Sequence, residues 1–344
     1  GGRAMLVVRA ARSDDHAAFV ELARAAGPGF TSLSLDDEAL HAKLLKSEQA
    51  FEGVLEDRSE CVYQLMLEDS VTGQVYGTAA VKAEVGVKKP YFDFKIFTIA
   101  QSSREADRRF DMDAMLLVND FAGCTEVGSL FVSDALRGSG AGRLTSQSRY
   151  MLVAADRTRF GHRMLSELRG VVDDKGESVF YEHVTRPFFR MSFEEADSLS
   201  AATDNQFILD LMPRSAIFLD LLPDEVQAVI GKTHPDGANA LRLLESEGFR
   251  YDRYVDIFDG GPLVSCETDD VRTIKDSHLM SVADGAPGGD TLRALVSNNQ
   301  MPDFRCVHAE VSVTGDAVSL DADAARALNV SAGQTVRLWT KELS

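Results

Sequence analysis

Cysteine is scarce in this chain: its 344 residues hold four, Cys61, Cys124, Cys266 and Cys306, far apart and never in a CxxC pair. That spacing excludes a disulfide framework and a cysteine zinc site, and the apolar surroundings make each thiol a small buried group. No apolar run reaches the roughly 18 residues that a membrane helix needs, and no basic segment followed by an apolar one opens the chain. Neither a membrane span nor a secretion signal is expected, which places the protein in the cytoplasm. Gly1-Gly2-Arg3-Ala4 ahead of Met5 reads as a cloning remnant, so the fold argument starts at Met5. Basic residues are also short, 36 Lys and Arg against 54 Asp and Glu, for a formal net charge of -18. Nucleic acid is bound by clustered cations that release counterions, so a nucleic-acid partner is not expected. The acidic excess serves solvation and suits a cationic substrate. Internal repeats and low-complexity segments are lacking too.

What is present is a chain with 44% hydrophobic residues, enough for one large domain and a small one. A strand over 5–10 is followed by Ser13-Asp14-Asp15, an N-cap for a helix to Ala26, which Gly27-Pro28-Gly29 stops. A second helix is expected over 36–51, with Leu40, Leu44 and Leu45 on one face. Strands 63–67 and 75–81 flank Asp69-Ser70-Val71-Thr72-Gly73 as an antiparallel hairpin, and another strand covers 91–99. Further on, strands are expected at 126–132, 163–172, 216–222 and 254–258. The expected helices are 143–159, 177–189, 193–203, 223–230 and 235–247. Asp259-Gly260-Gly261-Pro262 is the best boundary, giving domains 5–262 and 263–344. The second has the texture of short strands and polar turns expected of a compact barrel, with a helix over 322–328.

The segment Arg137-Gly138-Ser139-Gly140-Ala141-Gly142 stands between a strand and a helix. Its glycines let backbone approach a ligand, and its amides join the free N–H groups at the helix start, an arrangement that cradles an anion. A dinucleotide fold would carry such a loop after its first strand, and a P-loop would need Gly-Lys-Ser or Gly-Lys-Thr, which is absent. A structural turn and a phosphate site both remain open from the loop alone.

The Arg-x-x-Gly-x-Gly spacing resembles the acyl-CoA signature of the GNAT superfamily of N-acyltransferases. That resemblance implies a mixed α/β GNAT-like fold. A β-bulge near Leu130 to Val132 would face the thioester, and Arg137, Gly138, Gly140, Gly142 and Arg143 would line the pyrophosphate site. Several stretches narrow the likeness. They are Leu67-Glu68-Asp69-Ser70, Leu211-Met212-Pro213, Val229-Ile230-Gly231-Lys232-Thr233-His234-Pro235, Glu247-Gly248-Phe249 and Asp256-Ile257-Phe258-Asp259-Gly260-Gly261-Pro262. Together these resemble the arginine N-succinyltransferase family over nearly the whole chain from Met5. The resemblance implies transfer of succinyl from succinyl-CoA to the α-amino group of L-arginine, in arginine catabolism and without a metal. It also implies that His234 is the catalytic residue and that Leu130 is the acyl-CoA strand position. Ala141 departs from the Asn that the family often has in the loop; backbone amides bind the phosphates, so little should follow.

His234 also has a reading of its own. Pro235 holds it out of helical geometry at the N-cap of the next helix, where a residue faces open space. His16, His41, His162, His183, His278 and His308 have no metal spacing and read as structural. A guanidinium acceptor calls for carboxylates, and Asp210, Asp256 and Asp259 are the candidates, although Asp259 before Gly-Gly equally suits a turn cap. Arg149 or Arg169 would serve the succinyl carboxylate. Three alternatives remain: ornithine or another diamine as acceptor, a related acyl donor, and a non-catalytic subunit pairing with a paralogue, the last opposed by the presence of His234. A homodimer or a paired paralogous subunit is the expected assembly.

Overall fold

The computed structural model describes residues 2–27 and 36–343. Its strands are β1 (Leu6–Ala10), β2 (Val62–Asp69), β3 (Val75–Lys82), β4 (Asp93–Ser103), β5 (Arg108–Val118), β6 (Thr125–Val132), β7 (Arg163–Glu167) and β8 (Ile217–Phe218). There follow β9 (Arg250–Asp256), β10 (Pro262–Glu267), β11 (His278–Val282), β12 (Leu292–Ser297), β13 (Arg305–Thr314), β14 (Ala317–Ser319) and β15 (Thr335–Trp339). The helices are α1 (His16–Ala26), α2 (Asp37–Glu52), α3 (Ala141–Ala155), α4 (Arg186–Phe189), α5 (Phe193–Ala202), α6 (Gln206–Leu211), α7 (Asp224–Gln227), α8 (Ala238–Glu247), α9 (Arg272–Lys275) and α10 (Ala322–Leu328). The chain forms two compact units, residues 1–84, 125–162 and 267–344 in the first, and 85–124 and 163–266 in the second.

In the first unit β1, β2, β3 and β6 are joined in that order by antiparallel pairing. The Asp69 side chain accepts the amides of Val71 and Thr72 at 2.8 and 2.9 Å, which closes the β2–β3 turn as the sequence predicts. Asp36 caps α2 by accepting from the Ala39 amide at 2.8 Å, and Gly53 ends it in the left-handed region. Leu40 and Leu44 are buried with Phe19, Leu22 and Met66, whereas Leu45 is 42% exposed. The expected three-leucine face therefore holds only for the i, i+4 pair; the next residue is turned by about 100° around the helix axis. The stop at Pro28-Gly29 lies outside the described residues.

After α9 the chain builds a closed five-stranded barrel. β13, β12, β15, β11 and β14 pair in sequence, and β14 pairs back to β13. Its interior is Val296, Val307, Ala309, Val311, Val318, Val336 and Leu338, with Leu328 of α10 packed among them. The fold class is the one anticipated: mixed α/β with a C-terminal barrel.

The second unit holds β7, β10, β9, β4, β5 and β8 in that order. Phe94, Met115, Phe180, Tyr181, Phe189, Val255 and Ile257 form its core. Asp259-Gly260-Gly261-Pro262 joins the antiparallel pair β9 and β10, and the first barrel strand starts only at His278. The predicted strand over 216–222 shrinks to two residues followed by a 3-10 turn, Leu219–Leu221. The predicted helix over 177–189 includes a π-turn, Tyr181–Thr185, ahead of α4.

Candidate functional site

In the first unit, β6 pairs with β3 with Thr78 opposite Phe131 and Ala80 opposite Gly128, so Ser129 and Leu130 together face the single Ala79. That is a β-bulge, and Ser129 bends through it with φ of 53°. The bulge includes Leu130 but not Val132, which is back in register opposite Gly77. One 3-10 turn, Asp134–Leu136, follows, with Arg137 paired to Asp134 at 3.0 Å. Gly138 and Gly140 then take φ of 79° and 85°, values that only glycine adopts cheaply. The loop ends so abruptly that α3 begins at Ala141, two residues before the predicted Arg143.

Gly140 at the N-cap has no side chain to cap α3, and the Ser139 hydroxyl accepts only from the first amide, Ala141, at 3.3 Å; the positive end of the helix stays at the loop. Gly142 has an ordinary φ, and a Cβ built on it would meet nothing within 4 Å. A glycine in a helix's first turn costs up to about 1 kcal/mol against alanine. No neighbouring atom of the protein requires a glycine at this position. Ala141, in contrast, is buried at 1% exposure and turns away from the loop surface.

In the second unit the chain enters His234 from a left-handed Gly231, and Thr233 bridges to Gly170 just past β7. His234 donates its backbone N–H to the Arg169 carbonyl at 2.8 Å and has φ of -52° and ψ of 140°, the extended geometry that Pro235 imposes. The predicted helix at Pro235 proves to be a 3-10 turn, Pro235–Gly237, with α8 starting at Ala238. The Asp236 amide donates to His234 Nδ1 at 3.1 Å. Since Nδ1 accepts, the neutral ring carries its proton on Nε2 and presents that nitrogen as a donor. Asp236 Oδ2 lies 3.7 Å from Nδ1, and the ring is 15% exposed.

The acids of the Asp-Ile-Phe-Asp-Gly-Gly-Pro stretch support this turn. Asp259 accepts from the Gly261 amide at 2.8 Å and, with its other oxygen, from the Gly170 amide at 2.9 Å. Asp256 Oδ1 accepts from Phe258 and Asp259 amides at 2.8 and 3.0 Å. A Cβ on Gly170 would lie 2.4 Å from the Asp259 carbonyl, and one on Gly261 2.2 Å from the Leu168 carbonyl. The glycines thus let two backbone segments touch, and Asp259 holds Gly170 next to the carbonyl that anchors His234. Burial and the neighbouring Asp259 and Glu167 charges push the Asp256 carboxyl well above its usual range. Burial also pushes Asp259 up, against the pull of its two amide donors and Arg169.

Asp256 and Asp259 are therefore brought together, and Asp210 is not brought to them. It is exposed on α6 and accepts from Gln206 one turn earlier at 3.0 Å. Arg149 is buried in α3, bonded to the Ser146 carbonyl and hydroxyl at 3.0 and 2.8 Å. Arg169 is exposed and holds His234 through its backbone. The role of Gly170 escaped the sequence reading, since no local pattern links it to a motif about 90 residues later.

The comparisons agree across the whole chain. The family described as "Arginine N-succinyltransferase beta subunit" matches residues 6–273, and its C-terminal domain matches 278–340. A relative named arginine N-succinyltransferase from Enterobacter sp. (strain 638) is 39% identical over 335 residues, 97% of each chain. One of the same name from Escherichia coli is 38% identical over the same share. The solved structure of arginine/ornithine succinyltransferase subunit AI from Pseudomonas aeruginosa superposes with a TM-score of 0.85 at 32% identity, covering 98% of this chain and 99% of that one. The bulged strand, glycine loop and following helix of one unit and the His-Pro turn of the other thus occur in a chain that belongs to the arginine N-succinyltransferase family.

Proposed function

We propose that this protein transfers the succinyl group of succinyl-CoA to the α-amino group of L-arginine, in the cytoplasm, as part of arginine breakdown. The observation that carries the reading is kinship over 97% of the chain with relatives named for that activity. The donor half is supported by the Leu130 bulge and by the start of α3 behind Gly138, Gly140 and Gly142. Arg137 and Arg143 add cations at the loop edge, and Val132 continues the strand beside the bulge.

The reaction needs the α-ammonium to lose a proton, after which nitrogen attacks the thioester carbon. The C–N bond forms, the C–S bond breaks, and the thiolate takes up a proton. His234, as it stands, donates from Nε2, which suits proton delivery to the leaving thiolate. Taking the amine's proton uses the other tautomer, with Nδ1–H turned toward the Asp236 carboxylate 3.7 Å away. Asp256 and Asp259 act by holding the turn, and Asp210, exposed on α6, remains available to a cationic acceptor.

The Pseudomonas protein's name favours a second reading in which ornithine is also an acceptor, because the two amino acids share the head group that reacts. "Beta subunit" and "subunit AI" in the relatives' names support assembly with a second copy or a paralogous chain. The test is to incubate the protein with succinyl-CoA and L-arginine, titrate released thiol and locate the new amide by NMR. Succinylation at the α-nitrogen is the expected product. Thiol release no faster than in the blank, or a product carrying succinyl on the guanidinium, overturns the reading.

A further inference from the structure

Where the barrel's outer face meets α3, two guanidiniums lie beside an imidazole. Val307, Ala309 and Val311 of β13 and Ala294 and Val296 of β12 point into the barrel core. Strand alternation therefore turns Cys306, His308 and Glu310, with their partners Leu295 and Arg293, outward. This face packs against α3: β13 and β12 both contact that helix. The Cys306 thiol lies in hydrogen-bond contact with Ser148, and His308 lies within electrostatic reach of Arg143.

Those two neighbours put Cys306 toward the middle of α3 and His308 toward its start. From Cys306 to His308 the strand climbs about 6.6 Å. From Ser148 back to Arg143 the helix covers about 7.5 Å, so strand and helix run side by side in opposite directions. The next outward pair, Arg293 and Glu310, is one further strand repeat along in the same direction.

The cluster is poorly neutralised. Among the described residues Arg143 and the His308 ring have neither hydrogen bond nor ion-pair partner. Glu310 lies 4.0 Å from Arg293, whose side chain is 63% exposed, and also accepts from Thr291 at 3.2 Å. In a chain of net charge -18, two guanidiniums flanking one imidazole are a local exception. The imidazole registers that potential: burial, then Arg293 and Arg143, push its pKa down to about 4. An anion seated among these groups offsets the part of that shift that the two guanidiniums cause.

We propose that Arg293 and His308, with Arg143, hold the 3′-phosphate of the acyl-CoA, so that the C-terminal barrel forms the outer wall of the donor site. The proposal rests on the donor-loop reading given above. The loop takes the pyrophosphate, and the barrel face beside it meets the next phosphate along the same molecule. This gives the barrel a reason to be packed against α3.

The test compares succinyl-CoA with 3′-dephospho-succinyl-CoA in steady state, for the unaltered protein, Arg293→Ala, His308→Gln and Gly142→Val. Arg293 is exposed and the His308 ring holds no hydrogen bond, so both variants should fold. The unaltered protein should lose about ten-fold or more in kcat/KM without the 3′-phosphate, the scale of one charged hydrogen bond. In Arg293→Ala and His308→Gln that ratio should fall to within about three-fold, because kcat/KM for succinyl-CoA drops while that for the dephospho donor does not. Competition by adenosine 3′,5′-bisphosphate should weaken in parallel. Unchanged discrimination in both variants overturns the proposal. If Gly142→Val weakens both donors while the barrel variants do not, only the barrel subsite falls; if Gly142→Val also leaves donor binding unchanged, the loop reading falls with it.

Discussion

Replacing Asp259 by Asn should disable the site without touching a substrate. Asp259 offers one carboxylate oxygen to Gly261 and the other to Gly170, at 2.8 and 2.9 Å. An amide has one acceptor, so its NH2 must confront one of these N–H groups. Leaving a buried amide unpaired costs about 1–3 kcal/mol. The segment that loosens carries the Arg169 carbonyl and the Gly170 bridge that fix His234 and Thr233. Displacing a catalytic group by about 1 Å can cost on the order of 100-fold, so kcat should fall about 10- to 100-fold with KM for succinyl-CoA little changed. Asp256→Asn is the control, because the two amides on its Oδ1 need only a carbonyl. The Asp256 pKa is raised in the folded state, so between the unfolded value near 4 and the raised one the native state holds more protons. Stability of the unaltered protein should therefore fall as pH rises through that window, and Asp256→Asn should flatten the decline. Thermal unfolding across pH 4 to 8 and steady-state kinetics read both effects. An Asp259→Asn protein with unchanged kcat and unfolding temperature would show that this link does not hold His234.

Other expectations follow from the same geometry. Gly142→Val should leave unfolding temperature nearly unchanged or slightly higher, because space is open there, while raising KM for acyl-CoA well above the change in KM for the amine; calorimetric CoA binding checks it. His234→Ala should lose about 10²- to 10⁴-fold in kcat with CoA binding intact, and retention of more than about a third of kcat would make His234 a capping residue only. Nitrogen NMR of the neutral ring should find the proton on Nε2; a proton on Nδ1 would contradict the hydrogen bond from Asp236.

Much of this arrangement was legible before the structure, where short-range chemistry decides. The β2–β3 turn, the glycine loop and the His-Pro geometry each depend on residues within a few positions of one another. β5 was missed because its turn from β4 uses Asp107 at φ of 51° in place of the expected glycine, and charged residues interleave its apolar positions. Closure of the barrel depends on pairings such as Leu295 with His308, which no local pattern encodes. His308 carries no local signal, since only the outward face of β13 against α3 gives it neighbours. Asp256 and Asp259 looked like guanidinium ligands because turn-holding and substrate-holding carboxylates are the same residue type. The Gly-Gly that follows was the signal for the turn, and the touching backbones at Gly170 and Gly261 explain it.

The central claim is succinyl transfer to arginine, and kcat/KM for the four combinations of succinyl-CoA or acetyl-CoA with L-arginine or L-ornithine tests it most directly. The account predicts that succinyl-CoA with arginine is the best pair, with ornithine second on the same donor. Equal values across all four, or acetyl-CoA preferred with either amine, would contradict it.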